Sequence, residues 1–151
     1  EPIIQGLEDV YNHGTGAGFR VEGIKICGKT GTAENKIRVG GKTYQLKDHS
    51  IFVAFAPRDN PKIAIAVFIE NSGYGATWAG PIATLMIEKY INGKISRTDL
   101  EERMIKGSLA PEYKKIENII YQRISRSTEE DTALSSVESQ LGEAKKEEEN
   151  D

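Results

Sequence analysis

Residues 23–32, GIKICGKTGT, hold the side chains of this sequence that most clearly suggest chemistry: Lys29, Thr30 and Thr32 around Gly31. A lysine supplies a positive charge, and two hydroxyls two positions apart on an extended chain point to the same side. Together they could bind an anionic group such as a carboxylate. The same letters also fit Gly-x-x-x-x-Gly-Lys-Thr, the phosphate-binding P-loop, so the surrounding elements must decide between the two.

The neighbouring elements disfavour the P-loop. That motif needs a strand before its first glycine and a helix that begins at the Lys-Thr pair. Here the apolar residues alternate from Phe19 onward, which predicts a strand that runs through to Thr32. The residues after it, 37–44, predict a β-ribbon around a Gly40-Gly41 turn rather than a helix. Nucleotide binding remains only as an alternative hypothesis.

The elements on either side of this region predict an α+β fold. His49 to Ala56 and Lys62 to Glu70 have strand patterns and are joined by a turn-rich segment, which predicts an antiparallel hairpin. Helical spacing of apolar residues predicts helices over Pro2 to Asn12 and Thr77 to Asn92. We therefore expect an antiparallel sheet of three main strands plus a β-ribbon, flanked by helices.

The last third of the chain has a different composition. Two helices are predicted, Thr98 to Lys106 and Pro111 to Ile124, and both have narrow apolar faces. These faces consist of Leu100, Met104 and Ile105, and of Tyr113, Ile116, Ile120 and Ile124. The following residues are acidic and polar, which predicts a disordered tail. We expect three parts: a folded domain at 1–95, a helical extension at 96–124 and a disordered tail at 125–151.

Composition excludes several classes of protein and site. A net charge of -3 over 151 residues, without a basic stripe, argues against a nucleic-acid partner. The single cysteine, Cys27, and two histidines cannot form a disulfide framework or a structural zinc site, and we expect no cofactor. The longest apolar run, Ile63 to Ile69, is far shorter than the roughly 20 residues of a membrane helix. Because the chain starts at Glu1 without an initiator methionine, we expect it to be a fragment.

The motif and the sequence after it resemble a known family. Lys-Thr-Gly-Thr-Ala-Glu at 29–34 is followed by DHSIFVAFAPRDNPKIAIAVFIEN and then by GATWAGP at 75–81. This order closely resembles the C-terminal end of the transpeptidase domain of class B penicillin-binding proteins, with the elongation-type penicillin-binding protein 2 as the nearest match. The resemblance covers roughly residues 1–95.

The resemblance implies a fold, a reaction and roles for the motif. The family fold is a five-stranded antiparallel sheet flanked by helices, and a serine of the enzyme attacks the D-Ala-D-Ala amide of a peptidoglycan stem peptide. β-Lactams imitate that substrate. By resemblance, Lys29 assists proton transfer and Thr30 and Thr32 bind the substrate carboxylate. Gly31 permits close strand packing, and the Thr32 backbone N–H forms half of the oxyanion hole.

Two further family motifs are missing from this sequence. No serine has a lysine three places on, so there is no Ser-x-x-Lys, and there is no Ser-x-Asn before the lysine strand. Tyr90-Ile91-Asn92 loosely fits the second motif, but it lies after that strand and at a predicted helix end. We therefore expect the intact parent to be a serine D,D-transpeptidase and this chain alone to be inactive. A non-catalytic module that binds carboxylate ligands is the other alternative.

The resemblance also implies a cellular setting. Family members act on the extracytoplasmic (periplasmic) side of the cytoplasmic membrane, anchored by an N-terminal span that this chain does not contain. They work with a glycan-polymerising membrane partner.

Overall fold

The structure is a computed structural model that describes residues 2–148, with side chains described for 2–129 and 134–136. The described strands follow one another along the chain and are flanked by helices, as expected for an α+β fold, so the predicted fold class is confirmed. The elements are α1 (Pro2–His13), a 3₁₀ turn (Ala17–Phe19), β1 (Cys27–Ala33), β2 (Lys36–Val39), β3 (Lys42–Gln45), β4 (His49–Ala56), β5 (Ile63–Ile69), α2 (Ala79–Asn92), α3 (Thr98–Lys106) and α4 (Ala110–Glu148).

Three strands form the main sheet in the order β1-β4-β5, and both pairings are antiparallel. β1 therefore lies at an edge, with β4 as its only strand partner among the described residues. The predicted ribbon is confirmed as a separate β2–β3 pair. Gly40 and Gly41 join its strands with φ angles of 54° and 77°, which suit glycine because it has no Cβ.

The core lies between one face of the sheet and the helices α1 and α2. Phe19 is central to it, because its ring packs edge-on against Tyr11 and Phe52 with centroid distances of 6.0 and 5.5 Å. Gly80 of α2 leaves room for that ring, since a Cβ there would overlap it. The buried apolar residues of this cluster are Tyr11, Phe19, Val21, Ile24, Ile26, Phe52, Ala54, Ala56, Ala79, Ala83 and Ile87.

The strand predicted from Phe19 to Thr32 begins only at Cys27, so its first half was wrong. The alternating residues Phe19, Val21, Ile24 and Ile26 are buried, but they enter the core from an irregular segment. The hydroxyl of Tyr11 replaces a strand partner there: it accepts the Val21 N–H at 3.0 Å and donates to the Phe19 carbonyl at 3.2 Å. These apolar residues are therefore buried in turn along the segment although the segment does not pair in a sheet.

The predicted boundary at residue 95 falls just before a buried anchor. The carboxylate of Glu88, which is 1% exposed, accepts hydrogen bonds from the Ser96 N–H at 2.9 Å, from the Ser96 hydroxyl and from Arg97 Nε at 2.9 Å. Arg97 also donates to the Phe19 carbonyl at 2.8 Å. Burial raises the pKa of Glu88, but these hydrogen bonds outweigh it and the net pKa is lowered. The start of α3 is thereby joined to the core.

The fourth helix differs from its prediction in length and in the face it presents. It continues to Glu148, where the composition predicts a disordered tail from 125. A lack of large apolar residues prevents a packed core, but it does not prevent a helix built from good helix formers. The three-part division of the chain stays a prediction.

The face of α4 that packs on the domain is formed by Glu112, Ile116, Ile119 and Arg123, at helical spacing. Ile116 and Ile119 line a gap beside Gln45, Leu46 and Lys47, and Lys47 Nζ lies 3.5 Å from Glu112. Arg123 lies against Gly40 of the ribbon turn. Of the predicted face, Tyr113 and Ile124 are instead exposed, because the ribbon lies to one side of the expected stripe.

Candidate active-site strand

The Lys-Thr-Gly-Thr motif lies wholly within β1, in extended conformation. Gly28, Lys29 and Thr30 are consecutive strand residues, and no helix begins at the lysine. A P-loop requires that helix, so the nucleotide-binding alternative is wrong.

The strand register separates the motif onto two faces. Thr30 and Thr32 lie opposite Phe52 and Ser50, which places both threonine side chains on one face, as the spacing predicts. Lys29 and Gly31 lie on the other face. Lys29 and Thr32 are exposed, whereas Thr30 and Gly31 are half-buried. Lys29 Nζ donates to the Thr30 carbonyl at 2.6 Å, so the ammonium stays beside the strand that carries the hydroxyls.

The glycine cluster after α1 reaches the motif. Thr15 lies within this cluster, and its hydroxyl oxygen is 2.8 Å from that of Thr30. The sequence identified residues 14–18 only as a connector. No local spacing rule relates a loop threonine to a strand 15 residues away, and the sole signal was a polar side chain among glycines.

The loop between β5 and α2 also lies against the motif, beside Thr30. A Cβ added at Gly75 would overlap the Ile51 carbonyl, and it would lie 2.9 Å from the Gly31 oxygen and 3.2 Å from Thr30 Cβ. Glycine therefore allows the loop backbone to rest on β1. Tyr74, beside it, is 74% exposed.

Other polar residues near the motif have structural partners. Glu34 forms an exposed ion pair with Lys36 at 2.8 Å. His49 accepts the Asn71 N–H at Nδ1, at 3.1 Å. Tyr90-Ile91-Asn92, the loose match to the second family motif, lies in the last turn of α2. Among the residues whose side chains the structure describes, 2–129 and 134–136, no group of three His, Cys, Asp or Glu could hold a metal ion.

Comparison with known sequences identifies the family. Residues 1–88, more than half of the chain, match the family described as the penicillin binding protein transpeptidase domain. The chain belongs to this transpeptidase-domain family. The resemblance inferred from residues 29–34 and from the strands after them is therefore confirmed.

Individual relatives agree with the family match. The chain is 32% identical over 109 residues to the peptidoglycan D,D-transpeptidase MrdA of Haemophilus influenzae, covering 66% of this chain and 17% of that protein. It is 44% identical over 82 residues to MrdA of Acinetobacter baumannii, covering 50% and 12%. Both are of the penicillin-binding protein 2 type, as the sequence suggested. The chain thus spans less than a fifth of either relative.

A solved structure was also matched. Pseudomonas aeruginosa PBP2, crystallised in complex with WCK 5153, aligns with a TM-score of 0.45 and 31% identity, over 63% of this chain and 20% of that one.

None of the helices described in our structure is both long enough and apolar enough to span a membrane.

Proposed function

We propose that the intact protein is a peptidoglycan D,D-transpeptidase whose acylation site includes the Lys29 to Thr32 stretch of β1. The observation that carries the proposal is the placement of this family motif on an edge strand, where the two threonine hydroxyls share one face and the exposed lysine lies on the other. The relatives named D,D-transpeptidases support the reaction class. The substrate is then a stem peptide ending in D-Ala-D-Ala, and β-lactams are its mimics.

Each motif residue has a role in this reaction. Thr30 and Thr32 donate hydroxyl hydrogen bonds to the substrate carboxylate, and such bonds to charged groups contribute about 1.5–3 kcal/mol each. Lys29, on the same strand as the two threonines, supplies a positive charge and assists proton transfer to and from the nucleophile. The Thr32 backbone N–H donates to the developing oxyanion, where loss of one donor costs about a hundred- to a thousandfold in rate. Gly31, between the threonines, has no side chain and so permits close packing of the strand against its neighbour.

The nucleophilic serine is proposed to come from residues outside this chain, because no Ser-x-x-Lys occurs within it. One face of the sheet is suited to packing against further parts of the protein. The face that carries Lys29 also carries Val53 and Phe68, which are 46% and 55% exposed. Large apolar side chains grouped on a sheet face mark a contact surface. We propose that other parts of the transpeptidase domain cover this face and bring the serine to the edge of β1.

The setting follows from the substrate. Peptidoglycan lies outside the cytoplasmic membrane, so we propose an extracytoplasmic location with an N-terminal membrane anchor. A glycan-polymerising membrane protein is the proposed partner, because cross-linking acts on newly made glycan.

Labelling with fluorescent penicillin tests this function. The intact protein should be acylated at one site per molecule, whereas residues 1–151 alone should not be labelled. Lys29→Ala in the intact protein should slow acylation at least about a hundredfold, a loss typical of one general acid-base group. Lys25→Ala removes another exposed lysine of the same region and should leave the rate unchanged. Absence of labelling in the intact wild-type protein, together with retained ligand binding, would favour the non-catalytic carboxylate-binding module.

A further inference from the structure

Asn35, just beyond the end of β1, bonds to two other segments through its backbone and side chain. Its backbone N–H donates to Asp48 Oδ1 at 3.3 Å, and its carbonyl accepts the Leu46 N–H at 2.9 Å. Its side-chain Nδ2 donates to the Lys47 carbonyl at 3.1 Å and to Asn71 Oδ1 at 2.6 Å. Asn35 therefore joins the end of the motif strand to the segment that leads into β4 and to Asn71, two residues after the end of β5.

Asn71 is held in an unusual conformation. It is 6% exposed and has a φ of 53°, the only positive φ found among the non-glycine residues that the structure describes. Its N–H donates to His49 Nδ1 at 3.1 Å, and its amide oxygen accepts from Asn35. Asparagine tolerates the left-handed conformation better than most residues, but it still requires support from its surroundings.

Asn71 is also the first residue of the loop that lies on the motif. Two residues later, the Gly73 N–H donates to the Asp48 carbonyl at 2.7 Å. Gly75 then rests against the carbonyls of Gly31 and Ile51 and close to Thr30 Cβ. The hydrogen bond between Asn35 and Asn71 thus links the end of β1 to the start of the loop that lies against β1.

We infer that Asn35 and Asn71 form a positioning pair that holds the loop of residues 71–77 against Thr30 and Gly31 and so shapes the carboxylate-binding side of the site. This inference rests on the proposed function. Without the pair, a buried amide group loses its partner and the loop loses its attachment to the end of β1. Because the pair acts on the walls of the site and not on the reacting atoms, its loss should weaken ligand capture more than the chemical step.

The test compares Asn71→Gly and Asn35→Ala in the intact protein. Glycine adopts a φ of 53° without strain, so Asn71→Gly removes the amide while it preserves the backbone. For each variant, stopped-flow acylation by fluorescent penicillin gives the dissociation constant of the initial complex and the acylation rate constant separately. We expect the dissociation constant to rise about tenfold in each variant, with the rate constant changed by less than about twofold. The double variant should be no worse than the singles, because both remove the same bond.

Asn60→Gly is the matched control, since it makes the same change in the exposed turn at the opposite end of the β4–β5 hairpin. It should leave both constants unchanged. Hydrogen exchange of the amides of residues 72–77 in the intact protein provides a second readout, and exchange should accelerate in both test variants only.

The possible outcomes are distinguishable. A raised dissociation constant with faster exchange in the loop supports the positioning role. A lower melting temperature with both kinetic constants unchanged in the folded fraction overturns it, because the pair would then be purely structural. If Asn71→Gly does not fold, Asn35→Ala decides by the same two criteria, and failure of both variants to fold also overturns the inference. A wild-type protein that penicillin does not acylate refutes the proposed function instead.

Discussion

The hydroxyl oxygens of Thr15 and Thr30 lie 2.8 Å apart and link the glycine-rich loop after α1 to the motif strand. A hydroxyl can donate one hydrogen bond and accept two, so Thr30 can hold Thr15 and an anionic ligand at the same time. The loop thereby fixes the direction in which one of the two proposed carboxylate ligands points.

Replacing Thr15 with valine should reduce the efficiency of penicillin acylation in the intact protein about fivefold. The physical reason is the loss of one neutral hydrogen bond, which contributes about 0.5–1.5 kcal/mol. Thr15→Ser keeps the hydroxyl and should retain most of the wild-type efficiency. Second-order acylation rate constants measure the effect, and equal losses in the valine and serine variants would show that the hydroxyl is not responsible.

Thr32→Val should reduce acylation efficiency by about ten- to a hundredfold, because the lost bond is to a charged carboxylate. The side chain is exposed, so the free energy of unfolding should change by less than about 0.5 kcal/mol. Thr43→Val makes the same change at an exposed position of β3 and should have no effect on acylation. Wild-type acylation by the Thr32 variant would remove this residue from the site.

Glu88→Gln should destabilise the fold by about 2–4 kcal/mol near neutral pH, because it leaves Arg97 largely buried without its carboxylate partner. The pKa of Glu88 is lower in the folded than in the unfolded chain. Its stabilisation is therefore fully present above the ordinary glutamate pKa of about 4.5 and is lost as the pH falls through the lower folded-state value. Denaturation at several pH values measures this, and the wild-type advantage should shrink in acid. An advantage that stays constant down to pH 3 would refute the assignment.

Ile119→Asp should release α4 from the β2–β3 ribbon, because it places a charge in the half-buried gap beside Leu46 and Lys47. We expect a loss of about 1–2 kcal/mol in stability and faster hydrogen exchange in residues 36–45. Tyr121→Asp adds the same charge two residues away at a site that is 73% exposed, and should do neither. Equal behaviour of the two variants would argue against a docked helix.

The sequence predicted what local patterns determine. Strands β4 and β5, the Gly40-Gly41 ribbon and α3 follow from periodicity and turn residues, and the extended Lys29 to Thr32 stretch follows from its flanking pattern. Three features depended on contacts between distant residues and were missed: the bond between Thr15 and Thr30, the Asn35 to Asn71 pair, and the hydrogen bonds from Ser96 to the buried Glu88. The alternation in residues 19–26 was misassigned because core burial from an irregular segment imitates a strand.

The most direct test of the proposed site is a crystal structure of the intact protein acylated by a penicillin. We predict that the carboxylate of the bound drug lies within about 2.7–3.2 Å of the hydroxyl oxygens of both Thr30 and Thr32, with the acylated serine beside the edge of β1. A drug carboxylate bound away from this strand, with both hydroxyls unoccupied, would contradict it.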